Sequence, residues 1–172
     1  MSQINIETYR KISFEMFYES FFQELLSEAL TRRWNMIDLA TKLLIAFTAS
    51  GSAIAGWSLW NTPGGKFFWV MIAGVASISS IANGVMGVPT RVKEQEEIRQ
   101  VFLKLRVDLE MFRQRLKLKS DPEQLVISQY TELQDIYTKC MGQLNSDIAL
   151  TIGLRKDVQS NLNELLKEKG YI

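Results

Sequence analysis

Hydrophobic and polar positions are unevenly distributed along this chain. Leu43 to Gly65 contains no Asp, Glu, Lys or Arg, and neither does Phe67 to Thr90. Lys66 alone separates the two stretches, beside the turn-forming run Asn61-Thr62-Pro63-Gly64-Gly65. A helix that spans a bilayer needs about 20 mostly apolar residues, and soluble core helices rarely reach that length. The pattern predicts a transmembrane helical hairpin over residues 37–90, with spans at about 40–60 and 67–88.

The flanks have helical periods. Phe14, Phe17, Phe21, Leu25 and Ala29 recur at helical spacing, and Tyr18 and Phe22 widen the stripe. Residues 1–36 therefore read as an amphipathic helix. Its apolar face has two destinations, the bilayer interface or another part of the protein. Interfacial helices carry Lys and Arg on the polar face. This one carries Glu15, Glu19, Glu24 and Glu28, which favours packing against protein. Beyond the hairpin, Ile98, Phe102, Leu105, Leu109, Phe112 and Leu116 are spaced 4, 3, 4, 3, 4, a coiled-coil seam. Ser120-Asp121-Pro122-Glu123 then breaks the chain, with Ser120 as a candidate helix cap, Pro122 in the first turn and Glu123 closing a capping box. Val126, Tyr130, Leu133, Tyr137, Cys140 and Leu144 repeat the spacing, and a last helix carries Leu154, Val158, Leu162 and Leu165. The expected fold is an all-α membrane protein. A two-helix hairpin in the bilayer is flanked by the N-terminal helix and by a cytoplasmic coiled-coil hairpin over residues 91–172.

Charge sets the orientation. Arg32, Arg33 and Lys42 precede the first span, Arg91 and Lys93 follow the second, and the turn has only Lys66. Lys and Arg accumulate on the cytoplasmic side. Both termini are therefore expected in the cytoplasm. Trp57, Trp60, Phe67, Phe68 and Trp69 cluster at the outer turn, where amphipathic rings sit among headgroups. No signal peptide is expected, because acidic residues are scattered through the first forty positions.

Composition removes whole classes of function. The 172 residues include no histidine, so Ser-His-Asp and Cys-His systems and His-containing zinc sites are excluded. Cys140 is the single cysteine, and it reads as a small buried hydrophobe rather than a reactive thiol. Net charge is +1, which gives no electrostatic ground for a nucleic-acid partner. The mean hydropathy of −0.03 averages an apolar centre with charged flanks. No catalytic residue, metal ligand or cofactor site is expected, and the chain does not read as an enzyme.

The spans carry more small and polar residues than an anchor requires. Ala73, Ser77, Ser80, Gly84 and Gly87 are spaced 4, 3, 4, 3 and form one narrow seam, with Asn83 beside it. Thr41, Thr48 and Ser52 lie roughly on one face of the first span. Small residues let helices approach closely in lipid, and a buried amide needs a partner. In one reading the seam packs the two spans of a single chain. In the other it joins copies, and the hydroxyls with Asn83 line an aqueous path. Two spans cannot enclose a pore, so the second reading requires a homo-oligomer, which the cytoplasmic heptads would help to supply.

The order of parts resembles a known family. A charged helix leads to a basic flank, Thr31-Arg32-Arg33-Trp34. A tight two-span hairpin follows, then a charged helix beginning Arg91-Val92-Lys93-Glu94-Gln95-Glu96-Glu97. This is similar to the SLATT family of bacterial two-span effector domains over roughly residues 15–118. The resemblance rests on architecture rather than on a diagnostic motif. It implies a membrane-perforating effector of the bacterial inner membrane, acting in anti-phage defence and triggered by a signalling or sensor protein. Two other readings stand beside it. One is a membrane-anchored coiled-coil scaffold that recruits a soluble partner. The other is a soluble bundle with the hairpin as its core, although two stretches of this length exceed what so small a domain buries.

Overall fold

A computed structural model describes residues 6–59, 64–118, 122–144 and 147–171; the side chains of residues 47–59 and of 82, 83 and 86 lie outside the description. Among the described residues the chain forms five α-helices and no strand: α1 (Ile6–Leu59), α2 (Gly65–Met86), α3 (Val88–Leu118), α4 (Glu123–Gly142) and α5 (Ile152–Glu168). They divide into two compact units. One contains Met1–Leu30 and Glu94–Ile172, the other Thr31–Lys93. The three segments expected at 1–36, 37–90 and 91–172 thus regroup, and the N-terminal segment joins the C-terminal region. Position 36 is not an element boundary, because α1 runs through it without a break.

The larger unit is a four-helix bundle. Arg10 Nη2 donates to the Leu116 carbonyl at 3.2 Å, and Arg106 Nε donates to Glu24 at 2.6 Å. Early α1 thus meets late α3, so the two run antiparallel. Tyr18 meets Asn163 while Phe17 meets Tyr171, and Phe22 lies under Arg155, so α5 is also antiparallel to α1. Tyr9 stacks edge-on against Tyr130 with ring centres 4.8 Å apart, at the start of both α1 and α4. The topology is up-down-up-down, one of the common solutions for four packed helices.

The first helix occupies the middle of this bundle. From Met16 to Leu30 no residue of α1 is exposed. Met16, Phe17, Phe21, Phe22, Leu26 and Leu30 join one core with the α3 seam and with Leu133, Cys140, Val158, Leu162 and Leu166. The helix thus packs against protein, and part of its acidic face is enclosed as well. Glu24 is buried and paired with Arg106, and Glu19 accepts from Gln23 Nε2 at 2.8 Å. Ser13, Ser20 and Ser27 are buried at heptad spacing. Ser13 and Ser20 donate back to the carbonyls of Arg10 and Met16, so they are satisfied while their small volume lets neighbours approach.

Helix ends follow local chemistry. Gly87 closes α2 in a left-handed conformation (φ 60°), where a side chain would be strained. Arg91 N then donates to the Gly87 carbonyl, and Pro89 sits in the first turn of α3, where its missing N–H costs nothing. Thr151 caps α5 by accepting from Leu154 N at 3.2 Å. Pro122 occupies the cap position of α4, one place before the expected first turn, and the proposed Ser120 cap lies outside the described residues. At the end of α5, Tyr171 N bonds Leu166 O and Gly170 N bonds Lys167 O, with Gly170 at φ 68°. This Schellman closure turns the chain back, so that Tyr171 packs on Phe17 and donates its hydroxyl to Glu110.

The smaller unit holds the rest of α1, all of α2 and the start of α3. Trp34 and Val88 are buried there, as is Ala76. Among the described residues no helix is long and apolar enough to cross a membrane. The first charge-free stretch has most of its side chains outside that description, and the second is interrupted by three such residues.

Several groups in the bundle favour their neutral forms. The bond from Tyr171 to the Glu110 carboxylate, with burial second, raises the Tyr171 pKa; burial raises those of Tyr130, Tyr137 and Cys140. Each group then contributes stability that is complete below its unfolded pKa and is lost as pH rises through the folded one. We expect urea midpoints to hold up to about pH 8 and to fall progressively above about pH 10, the ordinary tyrosine range. The Tyr171→Phe variant should show a shallower decline when its midpoints are measured across the same pH series.

Candidate functional site

The face of α2 is the first candidate. Its packing residues are Ala76, which is buried, with Trp69, Ile72, Ala73 and Ser79 half-buried. The small-residue seam lies mostly to one side of that face. Ala73 is half-buried, but Ser77, Ser80 and Gly84 are exposed. Among the described residues, a Cβ added at Gly84 would meet nothing within 4 Å. Gly87 stands at the seam's end and serves the backbone, because it is the left-handed cap between α2 and α3. The Ser77 hydroxyl donates to the Ala73 carbonyl at 2.9 Å and is satisfied within its own helix. The side chains of Thr48, Ser52 and Asn83 lie outside the described residues.

Large apolar side chains surround that seam. Phe67, Phe68, Val70, Met71, Val75, Ile78, Ile81 and Val85 are each at least 50% exposed. On α1 within the same unit, Met36, Leu39 and Leu43 are exposed as well. Isolated exposed hydrophobes are ordinary in proteins, but several large ones on one helix mark a surface suited to a protein or membrane contact.

The α3 seam has a different fate. Phe102, Leu105, Leu109, Phe112 and Leu116 are buried to between 1% and 4% exposure, and Ile98 packs against them. They meet α1 as well as α4 and α5, so the predicted two-helix coiled coil is one part of a four-helix core. The seam is buried within one chain. In this structure the N-terminal helix lies along the seam, in the place a partner helix would take.

A charged network lies inside the bundle and carries no sequence motif. Arg106 binds Glu24 through two nitrogens, at 2.6 and 3.5 Å, and stacks over Phe21 at 4.6 Å. It also reaches Glu110 at 3.9 Å, and Glu110 accepts from Tyr171. Further along α3, the Arg113 guanidinium lies over Phe14, Phe17 and Tyr171, with centroid distances of 4.6, 5.2 and 5.5 Å. Burial lowers its pKa, and among the described residues Nη1 is buried without a hydrogen-bond partner. The network joins α1, α3 and the end of α5. Its members are scattered over residues 14–171, so periodicity does not expose it.

At the end of the bundle where α1 leaves and α3 enters, Gln23, Ser27, Gln95, Asp147 and Arg155 border a cavity of about 160 Å³ with Leu26, Leu30 and Ile98. Gln95 is buried and donates to Asp147 Oδ2 at 2.9 Å, while Asp147 Oδ1 accepts from Ala149 N at 2.7 Å. This pair ties the α4–α5 connection to the start of α3. Cavities that bind drug-sized ligands run from about 300 Å³ upward, so this one is of packing size.

Breaking the buried ion pair tests how far the network holds the bundle. Glu24 and Arg106 side chains are 10% and 15% exposed. Arg106→Met leaves a buried carboxylate uncompensated and should destabilise the bundle by about 3 kcal/mol. The double variant Glu24→Leu with Arg106→Met should recover most of that loss. Chemical unfolding monitored by circular dichroism reads both changes.

No family model, curated protein or solved structure matches the chain.

Proposed function

We propose that this chain is a two-span effector of the bacterial inner membrane, with both termini in the cytoplasm. It assembles into homo-oligomers through the small-residue face of α2 and permeabilises the bilayer. One observation carries the reading. A single helix with Lys66 as its only charged residue displays eight large apolar side chains beside an exposed seam of Ser77, Ser80 and Gly84. The apolar display suits lipid. The small seam suits a second helix, since close backbone approach is what drives association where water is absent.

The basic residues at the inner ends of both charge-free stretches support the orientation. In this reading the four-helix bundle is the control element. It is held shut by its own core and by the Glu24–Arg106–Glu110 network, and a signalling or sensor protein acts on it. The likeness in part order to SLATT effectors adds an associational argument for a role in anti-phage defence. No catalytic step is assigned.

A second reading has its own observation. A groove of about 260 Å³ between α3 and α4 is bordered by Asp108, Met111, Arg115, Glu132 and Ile136, and Met111 and Ile136 are exposed. Such a surface suits a scaffold that recruits a soluble partner, with the hairpin as an anchor only.

Induced expression with dye uptake and membrane-potential recording separates the two. The pore reading expects depolarisation and dye entry on triggering, and expects Ser80→Leu with Gly84→Leu to abolish both while membrane insertion persists. Intact membranes under triggering conditions would overturn it. Replacing the spans by plain leucine helices should remove activity if the hairpin is the working part, and should leave it untouched if the groove is.

A further inference from the structure

The outer faces of α3 and α4 carry a second heptad pattern that the bundle core does not use. Asp108, Met111, Arg115 and Leu118 are spaced 3, 4, 3 along α3. Leu125, Gln129, Glu132 and Ile136 are spaced 4, 3, 4 along α4. Met111, Leu118, Leu125 and Ile136 are between 37% and 75% exposed. The groove of about 260 Å³ lies between the two stripes, over the buried Phe112 and Leu133. Arg115 and Glu132 line it together, yet among the described residues neither makes an ion pair, and neither does Asp108. Two adjacent heptad stripes on antiparallel helices are half of a four-helix interface.

The charges identify the other half. Identical copies related by a two-fold axis meet through the same patch, so each residue must suit its symmetry mate. Because α3 and α4 are antiparallel, the groove has Arg115 and Gln129 toward one end and Asp108 and Ile136 toward the other, with Phe112 beside Tyr130 between them. Two face-to-face arrangements are available. An axis perpendicular to the helices sets α3 on α3 and α4 on α4. It brings Asp108 to Arg115, but it places Glu132 against its own copy at the centre of the interface. An axis parallel to the helices sets each α3 on the α4 of the other copy and keeps every residue at its own height. Arg115 then lies over Gln129 of the second copy, one helical turn from its Glu132, and Met111 lies over the apolar floor. Opposite charges meet twice, with no adjustable shift along the axis.

We propose that the α3–α4 groove is a self-association surface occupied by a second copy of this chain, with the two-fold axis parallel to the bundle and Arg115 paired to Glu132 of the other copy on both sides. The inference concerns the bundle alone and does not depend on the pore reading. Asp108 to Leu118 spans about 15 Å of helix at 1.5 Å per residue. So short a patch falls at the small end of specific interfaces, which makes the dimer reversible. The apolar floor supplies affinity, and the charges select the partner and fix the arrangement.

The test uses the full chain in detergent with Ser80→Leu and Gly84→Leu, so that association through α2 is blocked and the bundle is read by itself. Sedimentation equilibrium should show a monomer–dimer equilibrium. Arg115→Glu and Glu132→Arg should each weaken the dimer by about tenfold or more, because like charges then face each other. Both substitutions in one chain should restore it, since the swapped charges again meet as opposites. Circular dichroism of each variant checks that the fold is intact. A chain that stays monomeric at every concentration overturns the proposal, and so does a double variant that fails to recover. Rescue of Arg115→Asp by Asp108→Arg would assign the perpendicular arrangement and overturn the one proposed. A monomeric chain whose groove binds a soluble protein, with binding lost in Met111→Glu, would give the groove to the scaffold reading instead. Should the variants fail to fold, hydrogen exchange of the unmodified chain decides the matter. Residues 108–118 and 125–136 should exchange more slowly at high than at low protein concentration, and equal rates would overturn the inference.

Discussion

The burial of α1 between Met16 and Leu30 is the constraint on which the bundle depends. Three helices that are separated from it in sequence must close around it on every side. Phe17 and Phe21 lie under the Arg113 and Arg106 guanidinium groups and against the α3 seam, so an aromatic spine and a charged network share one interface. Large buried aromatics are worth about 3–5 kcal/mol each when truncated. That is a large share of the marginal stability of a domain this size. Loss of this helix would leave the three remaining helices with an open apolar groove, not with a smaller bundle.

The same helix continues past Leu30 into the other unit. Helix α1 therefore belongs to both compact units. Its first half is surrounded by protein, and its second half displays Met36, Leu39 and Leu43.

Much of this was readable from spacing alone. The 4, 3, 4 pattern located the inward face of α3 to the residue, and the Ser-Asp-Pro run marked the break before α4. The fate of the acidic residues on α1 was not readable. Glu19, Glu24 and Glu28 look like a solvated face until Arg106 is placed beside Glu24, and that partner lies 82 residues away. Local pattern cannot distinguish a charge facing water from one facing a distant guanidinium. The Tyr171 contact was hidden for a similar reason. It arises from the left-handed turn at Gly170, and a terminal Gly-Tyr pair does not announce what the tyrosine will meet. Gly87 fits the small-residue seam by spacing, and its left-handed conformation at the end of α2 is a second demand for glycine that spacing does not reveal.

The long separations within the bundle bear on how the molecule is made. Tyr18 and Asn163, which bond to each other, stand 145 positions apart. Both charge-free stretches lie between them. Synthesis runs from the N-terminus, so Phe17, Phe21 and Phe22 emerge long before any of the helices that will cover them. The nascent chain must carry an uncovered aromatic helix while both charge-free stretches are made, a condition that favours aggregation and chaperone capture. Bundle closure is consequently a late event in biogenesis, and the order of manufacture places both charge-free stretches ahead of it.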